Sequence, residues 1–218
     1  MYRYNLSPRW GLKADFIFGK VSATDKGTNM QARGLAFSSP ITEFSVEAEL
    51  NFLKLYNSTG KNRFAPYIFA GLTIFSFNPQ AELNGTVYDL QSLGTEGQGL
   101  EGQKKRYSLT SAAIPFGIGI KVTAGRYFAF GAEWGMRYTF TDHLDDVGGL
   151  YYDNIALQHS RGDIVATLAD PSDPKHQAGE QRGNTTTTDL YSFAGVNITV
   201  KFGNEDKTCD LRKSRKRK

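Results

Sequence analysis

One short run, Asp142, His143, Leu144, Asp145 and Asp146, holds the densest set of groups in this chain that could move a proton or grip a cation. An imidazole among carboxylates can polarise water or a hydroxyl, the chemistry of a hydrolase or an acyltransferase. With Asp153 the same carboxylates offer hard oxygen ligands of the kind Ca²⁺ takes, but the spacing of a calcium loop is absent. Spacing alone does not orient a base, and no motif marks a partner serine. A strand-end cap and hydrogen-bonded loop base accounts for the same residues and is the reading adopted. No Gly-rich phosphate loop and no paired Cys/His metal motif occurs. No catalytic residue, cofactor or metal is therefore assigned, and the chain is not expected to be an enzyme.

The element that must position this run is the stretch just before it. From Phe128 to Phe140 every even residue is apolar, through Phe130, Ala132, Trp134, Met136 and Tyr138, while Ala129, Gly131, Glu133, Gly135, Arg137 and Thr139 alternate with them. At 39% apolar residues, seven such hits in a row arise by chance roughly once in 700 trials. A period of two puts the rows on opposite faces of a strand, and the length suits a bilayer crossing of about 9–11 tilted residues. The reading is a transmembrane strand with lipid on its aromatic side.

The same pattern recurs along the chain. Tyr2 to Asn5 reads as a strand end and Leu6-Ser7-Pro8-Arg9 as a tight turn. Trp10 to Ala23, Ala36 to Leu53, Ala65 to Asn78, Tyr107 to Thr123 and Asp189 to Phe202 read as further strands. In Ala65 to Asn78 both faces are apolar or aromatic, so no inward row is assigned. Pro115, inside a strand that should be paired on both sides, predicts a bulge. Residues 79–106 and 143–187 read as the long loops, the first with a short strand at Thr86 to Leu90. Short and long connections tend to alternate, as periplasmic turns and extracellular loops do in outer-membrane barrels, whose strand number is even. Seven segments plus one preceding strand predict an all-β, antiparallel, eight-stranded transmembrane β-barrel over residues 1–203. Met1 opens as if inside a strand, so a signal peptide and a strand are expected upstream.

The rows opposite the apolar ones carry Lys13, Asp15, Glu43, Glu47, Glu49, Lys121, Glu133, Arg137 and Lys201. An eight-stranded barrel has an interior just wide enough for side chains to fill, so these charges are predicted to pair across the lumen as a plug. A soluble calycin-like barrel would need the reverse, apolar residues inside and Lys/Glu outside. The formal charge of +4 lies in the tail: residues 204–218 hold seven Lys/Arg against three Asp/Glu, which leaves 19 of each sign elsewhere. The body therefore has no overall basic bias toward nucleic acid. The lone Cys209 permits no internal disulfide.

Several strings resemble the PorG family of Bacteroidetes outer-membrane barrels. They are Tyr4-Asn5-Leu6-Ser7-Pro8-Arg9-Trp10, Phe77-Asn78-Pro79, residues 93–99 (LGTEGQG), Pro115-Phe116-Gly117, and residues 133–147 (EWGMRYTFTDHLDDV) with Tyr152-Asp153. The resemblance implies a structural subunit of the type IX (Por) protein secretion system that contacts the periplasmic ring of PorK and PorN. It transfers no site residue position by position. If such a ring is gripped from the periplasm, parity places Arg9, Lys61, Arg63 and Arg126 in the accessible turns, and Arg212 and Lys213 in a basic periplasmic tail. Two other classes remain: a barrel with ligand-binding or adhesive surface loops, and a hydrolase or acyltransferase at the mouth.

Overall fold

Alternation of small or charged residues with bulky apolar ones builds nearly all of the sheet. The structure, a computed structural model, describes residues 1–53, 63–125, 127–184 and 186–202. Its strands are β1 (Tyr2–Asn5), β2 (Trp10–Thr24), β3 (Ala36–Asn51), β4 (Phe64–Phe77), β5 (Gln80–Leu83), β6 (Thr86–Asp89), β7 (Thr110–Ala124), β8 (Phe128–Thr139) and β9 (Leu190–Val200). Three short helices, α1 (Leu90–Leu93), α2 (Asn154–Arg161) and α3 (Asp163–Ala169), lie in the loops. The wall runs β1-β2-β3-β4-β7-β8-β9, all antiparallel, with the β5–β6 hairpin hanging off β3.

The side-chain distribution is the inverse of a water-soluble protein's. Lys13, Glu43, Glu47 and Glu49 are at most 2% exposed, whereas Leu72 is 70% and Val196 88% exposed. So much contiguous apolar surface belongs against lipid. On the outward rows of the described residues of the wall strands β1, β2, β3, β4, β7, β8 and β9 the single charge is Lys20, opposite Pro40 toward the loop end of β2. The fold is thus an antiparallel transmembrane β-barrel wall, and the soluble alternative is excluded by which side the charges occupy. Among the described residues the outer edges of β1 and β9 are not paired with each other.

Connections at one end are residues 6–9, 52–63 and 125–127, and at the other 25–35, 78–109 and 140–189. The second end carries a cap, and here the sequence-based expectations need correction. The long loop is not irregular throughout but holds α2 and α3, which pack through Leu157, Val165 and Ala169 against Leu93, Leu100 and Tyr152. Asp153 caps α2 by accepting from the Ile155 and Ala156 amides at 3.0 and 3.1 Å. The short strand at Thr86 has a partner, Gln80–Leu83, across a turn in which Asn84 and Gly85 both have positive φ, 53° and 79°. That geometry is a type I′ hairpin.

Two further corrections concern the wall. Pro115 makes no bulge: the β4–β7 ladder loses pairs between Ala70↔Phe116 and Thr73↔Ala113 and resumes in the same register. A missing N–H costs ladder hydrogen bonds, not an inserted residue. In β4 the inward row is Ala65, Tyr67, Phe69, Thr73, Phe75 and Phe77. These rings fit because the register sets Tyr67 against Gly119 and Phe69 against Gly117. A Cβ on Gly117 would lie 2.6 Å from Phe69 Cζ, and one on Gly119 would overlap the Tyr67 ring. Gly119→Ala should therefore destabilise the barrel by about 1–3 kcal/mol. In a Tyr67→Ala background the same change should add little, which a double-mutant cycle of urea unfolding in detergent micelles would measure.

Candidate functional site

The lumen holds the largest set of interacting charges. Lys13 on β2 reaches Glu133 on β8 at 2.8 Å, Arg137 on β8 reaches Glu43 on β3 at 2.7 Å, and Lys121 on β7 reaches Glu49 on β3 at 2.7 Å. None of these strand pairs is adjacent in the wall, so every contact crosses the interior. Lys13 also lies 3.1 Å from Asp15 and 2.8 Å from Glu47 Oε2. The latter is a coulombic contact without hydrogen-bond geometry, since both Glu47 oxygens are buried with no donor. Tyr67 OH donates to Glu133, and Tyr191 OH to Glu43 at 2.9 Å. Aromatic faces serve the cations as well: Lys121 Nζ sits 4.1 Å from the Tyr67 ring centroid and Lys13 Nζ 4.4 Å from that of Phe69.

Eight of the nine predicted lumen residues are brought together here. The ninth, Lys201, follows the end of β9, and its Nζ lies 3.5 Å from the Gly125 carbonyl at the turn end. Arg3 joins the network, pairing with Glu49 at 2.9 Å and Glu133 at 3.0 Å. Arg3 could have been found, since Tyr2 and Tyr4 share a face and the residue between them must take the other. Of the turn residues, Arg9 and Arg63 are exposed at the end opposite the cap; Lys61, Arg126, Arg212 and Lys213 lie outside the described residues.

Above the charges the interior becomes apolar. Ile41, Phe75, Phe77, Ala113 and Tyr191 cluster with Leu144, which the long loop inserts from the mouth. Over that layer, Arg182 ties the three loops together. Its guanidinium donates to the Asp146 carbonyl at 2.6 Å, Glu96 at 3.1 Å and the Ala169 carbonyl at 3.1 Å, and its own carbonyl accepts from Arg33 at 2.7 Å. Asp146 is wholly buried, accepting from Thr95 and, at 2.6 Å, from Tyr107 OH. Glu96 Oε1 also accepts the Gly148 and Gly149 amides at 3.1 and 3.0 Å. Sequence gave no sign of Arg182, whose partners come from segments far away in the chain.

In the His143 run, Asp189 Oδ2 accepts from the Leu144 amide at 2.7 Å and Asp145 Oδ1 from the Val147 amide at 3.0 Å, which ties the loop base down. The His143 ring stacks on Tyr107 with centroids 4.4 Å apart, and Nδ1 is buried without a hydrogen-bond partner, so no carboxylate orients it as a base. Burial holds its pKa below the usual histidine value. A second His/Ser/Asp group, unmarked by any sequence motif, is equally unsuited to proton relay. In it Ser172 Oγ and Asp170 Oδ1 approach the same nitrogen, His176 Nδ1, at 3.0 and 3.1 Å. Among the described residues no three His/Cys/Asp/Glu side chains are grouped to hold a metal.

Four carboxylates in and under the cap have raised pKa values, and burial takes Asp146 to about 6 against Arg182, Thr95 and Tyr107. Burial pushes Asp145 up to about 7, with Asp189 nearby adding to it. Burial likewise raises Asp189 to about 6 against the hydrogen bond it accepts from the Leu144 amide. Asp142 rises to about 6 through burial, then through Asp145 and Glu96.

A family model described as Domain of unknown function (DUF6089) matches residues 1–159. No curated protein matches the chain. Two solved structures show distant similarity to it. The crystal structure of Acinetobacter baumannii CarO has a TM-score of 0.36 and 14% identity over 90% of this chain and 89% of that one. That of Acinetobacter baumannii CarO2 has a TM-score of 0.35 and 9% identity over 91% and 89%. At such scores neither likeness bears on function.

Two measurements test this arrangement. Glu133→Ala leaves the Arg3 and Lys13 charges short of their shared partner, so it should cost about 3–5 kcal/mol, read as a lower urea midpoint and loss of the fast-migrating folded band on unheated gels. Asp145→Asn tests the cap. A carboxylate whose folded pKa lies above its unfolded value leaves stability intact below about pH 4. That stability is lost as pH climbs to about 7. Relative to wild type, the variant should therefore slow hydrogen exchange in segment 141–150 increasingly from pH 4 to 7, with a level difference above.

Proposed function

We propose that this chain, which belongs to the DUF6089 family, is a structural outer-membrane subunit of the type IX secretion system, contacting the periplasmic PorK/PorN ring. The observation that carries the reading is the occupied lumen. Ion pairs from β2, β3, β7 and β8 meet across it, and the Leu144 cluster closes over them. A conducting pore needs a lumen lined by solvated groups, whereas here the same groups hold opposite walls together. Such a barrel serves as a rigid membrane anchor.

The partner comes from the resemblance of the strings around Trp10, Gly97 and Glu133 to the PorG family. The strings at residues 93–99 and 133–147 and the Tyr152-Asp153 pair converge in space: Thr95 bonds to Asp146, Glu96 accepts the Gly148 amide just after Val147, and Gly97 packs against the Tyr152 ring. In this orientation the cap faces outward and the turn end, with the C-terminal tail, faces the periplasm. Exposed Arg9 and Arg63 then present cations toward the ring. Arg9 is well placed because its carbonyl is fixed to β3, accepting from the Asn51 amide at 2.7 Å.

The test is co-purification from detergent-solubilised outer membranes, read by mass spectrometry. Arg9→Glu with Arg63→Glu and removal of residues 204–218 should reduce PorK recovery several-fold while the barrel stays folded. Unchanged recovery would exclude ring contact through these places, and absence of PorK and PorN from the wild-type sample would exclude the secretion role.

A further inference from the structure

Between the cap-side ends of β2 and β3 and the long loop lies a cavity of about 200 Å³ that the anchoring role does not use. A cavity of about 150 Å³ lined by aliphatic and aromatic side chains accepts benzene, so this one has room for a six-membered ring with a short arm. Leu35, Phe37, Leu90, Val147 and Leu168 give it an apolar lining, into which four charged residues are set: Asp25, Arg33, Asp145 and Arg182.

Those four are not equally matched. Arg33 grips both oxygens of Asp25, at 2.9 and 3.0 Å, and gives its Nη1 to the Arg182 carbonyl at 2.7 Å. Arg182 is held by Glu96 at 3.1 Å and by the Asp146 and Ala169 carbonyls at 2.6 and 3.1 Å. Neither guanidinium hydrogen-bonds Asp145. Its Oδ1 accepts the Val147 amide at 3.0 Å, and its Oδ2 accepts no hydrogen bond from another described residue. The charges that face Asp145 are the carboxylates of Asp189 and Asp142 and the two arginines, both of them bonded elsewhere. Burial, with Asp189 adding to it, pushes the Asp145 pKa up to about 7, as expected of a carboxylate short of a cation.

The chemistry of the missing cation follows from the rest of the lining. A divalent metal ion takes several hard oxygen ligands, and among the described residues no three His/Cys/Asp/Glu side chains are grouped to hold one. An organic ammonium needs one carboxylate and gains from a ring face, which Asp145 and Phe37 supply, and its apolar body suits the remaining walls.

We propose that this cavity binds a small primary ammonium compound with a single-ring apolar body, its charged nitrogen on Asp145 and its ring against Leu35, Leu90 and Leu168. Binding there depends on the cap alone, so it is independent of any contact with a periplasmic ring.

The experiment titrates the full chain in neutral detergent micelles by calorimetry, with empty micelles as the blank, using benzylamine, its uncharged isostere benzyl alcohol and the anion benzoate. Saturable benzylamine binding is expected, at least about tenfold tighter than benzyl alcohol or benzoate at about pH 8. It should weaken toward about pH 5 as Asp145 takes up its proton. Asp145→Asn should keep benzyl alcohol binding and erase the preference for the amine. Ala81→Leu, which fills the cavity from β5, should weaken both ligands by about tenfold or more, while Glu82→Gln, exposed on the same strand outside the lining, should change neither. The unheated-gel shift reports folding of each variant. No saturable benzylamine binding, equal affinity for benzyl alcohol or benzoate, affinity independent of pH, wild-type preference in folded Asp145→Asn, or undiminished binding in folded Ala81→Leu would overturn the proposal.

Discussion

Charges that face the inside of a narrow barrel have nowhere to go but to one another. A single carboxylate in so confined a space would carry a large desolvation cost, and a pair recovers that cost only with good geometry and satisfied hydrogen bonds. Much of the wall follows from this. Glu133 sits where Arg3, Lys13 and Tyr67 all reach it, and Glu43 where Arg137, Ser45 and Tyr191 reach it. Register errors of one residue would turn each of these groups into lipid and each apolar side chain into the lumen. The ion pairs therefore specify which strand alignment is tolerable, in addition to any net stabilisation.

Filling that interior is a volume problem as much as an electrostatic one. Tyr67 and Phe69 occupy space that Gly117, Gly119 and Gly135 vacate on the facing strands. The aromatic rings in turn lie beneath the ammonium groups, so the bulk that closes the lumen also solvates its cations. Charge pairing and large-against-small packing are in this sense one arrangement.

The period of two made most of the wall legible in sequence, including eight lumen charges. It failed where its contrast failed. In β4 both rows are apolar, because the inward one supplies rings to a packed core, and no polarity difference marks the faces. Lys201 keeps the ladder register, its amide donating to the Tyr127 carbonyl at 2.7 Å, but it sits at the turn end, where its Nζ lies by the Gly125 carbonyl instead of among the cross-wall pairs. The cap was legible only in fragments. Asn84-Gly85 is a strong hairpin signal, and Asp153 is a good helix cap. The contacts that assemble the cap, however, join residues such as Arg33, Glu96 and Arg182 across most of the chain, and no local pattern encodes them.

The cap and the lumen differ in what they ask of the chain. Lumen pairs are cross-wall contacts between strands already held by ladders, so their geometry is set before any side chain is placed. Arg182 has no such scaffold. It binds carbonyls at Ala169 and Asp146 and the carboxylate of Glu96, and the loops it joins hold shape through it. Burial raises the pKa of three carboxylates at the junction, Asp142, Asp145 and Asp189, and the field of Arg182 offsets only part of that for Asp145. Strain from ionisation thus collects at the seam between a rigid wall and a cap held by a few side chains.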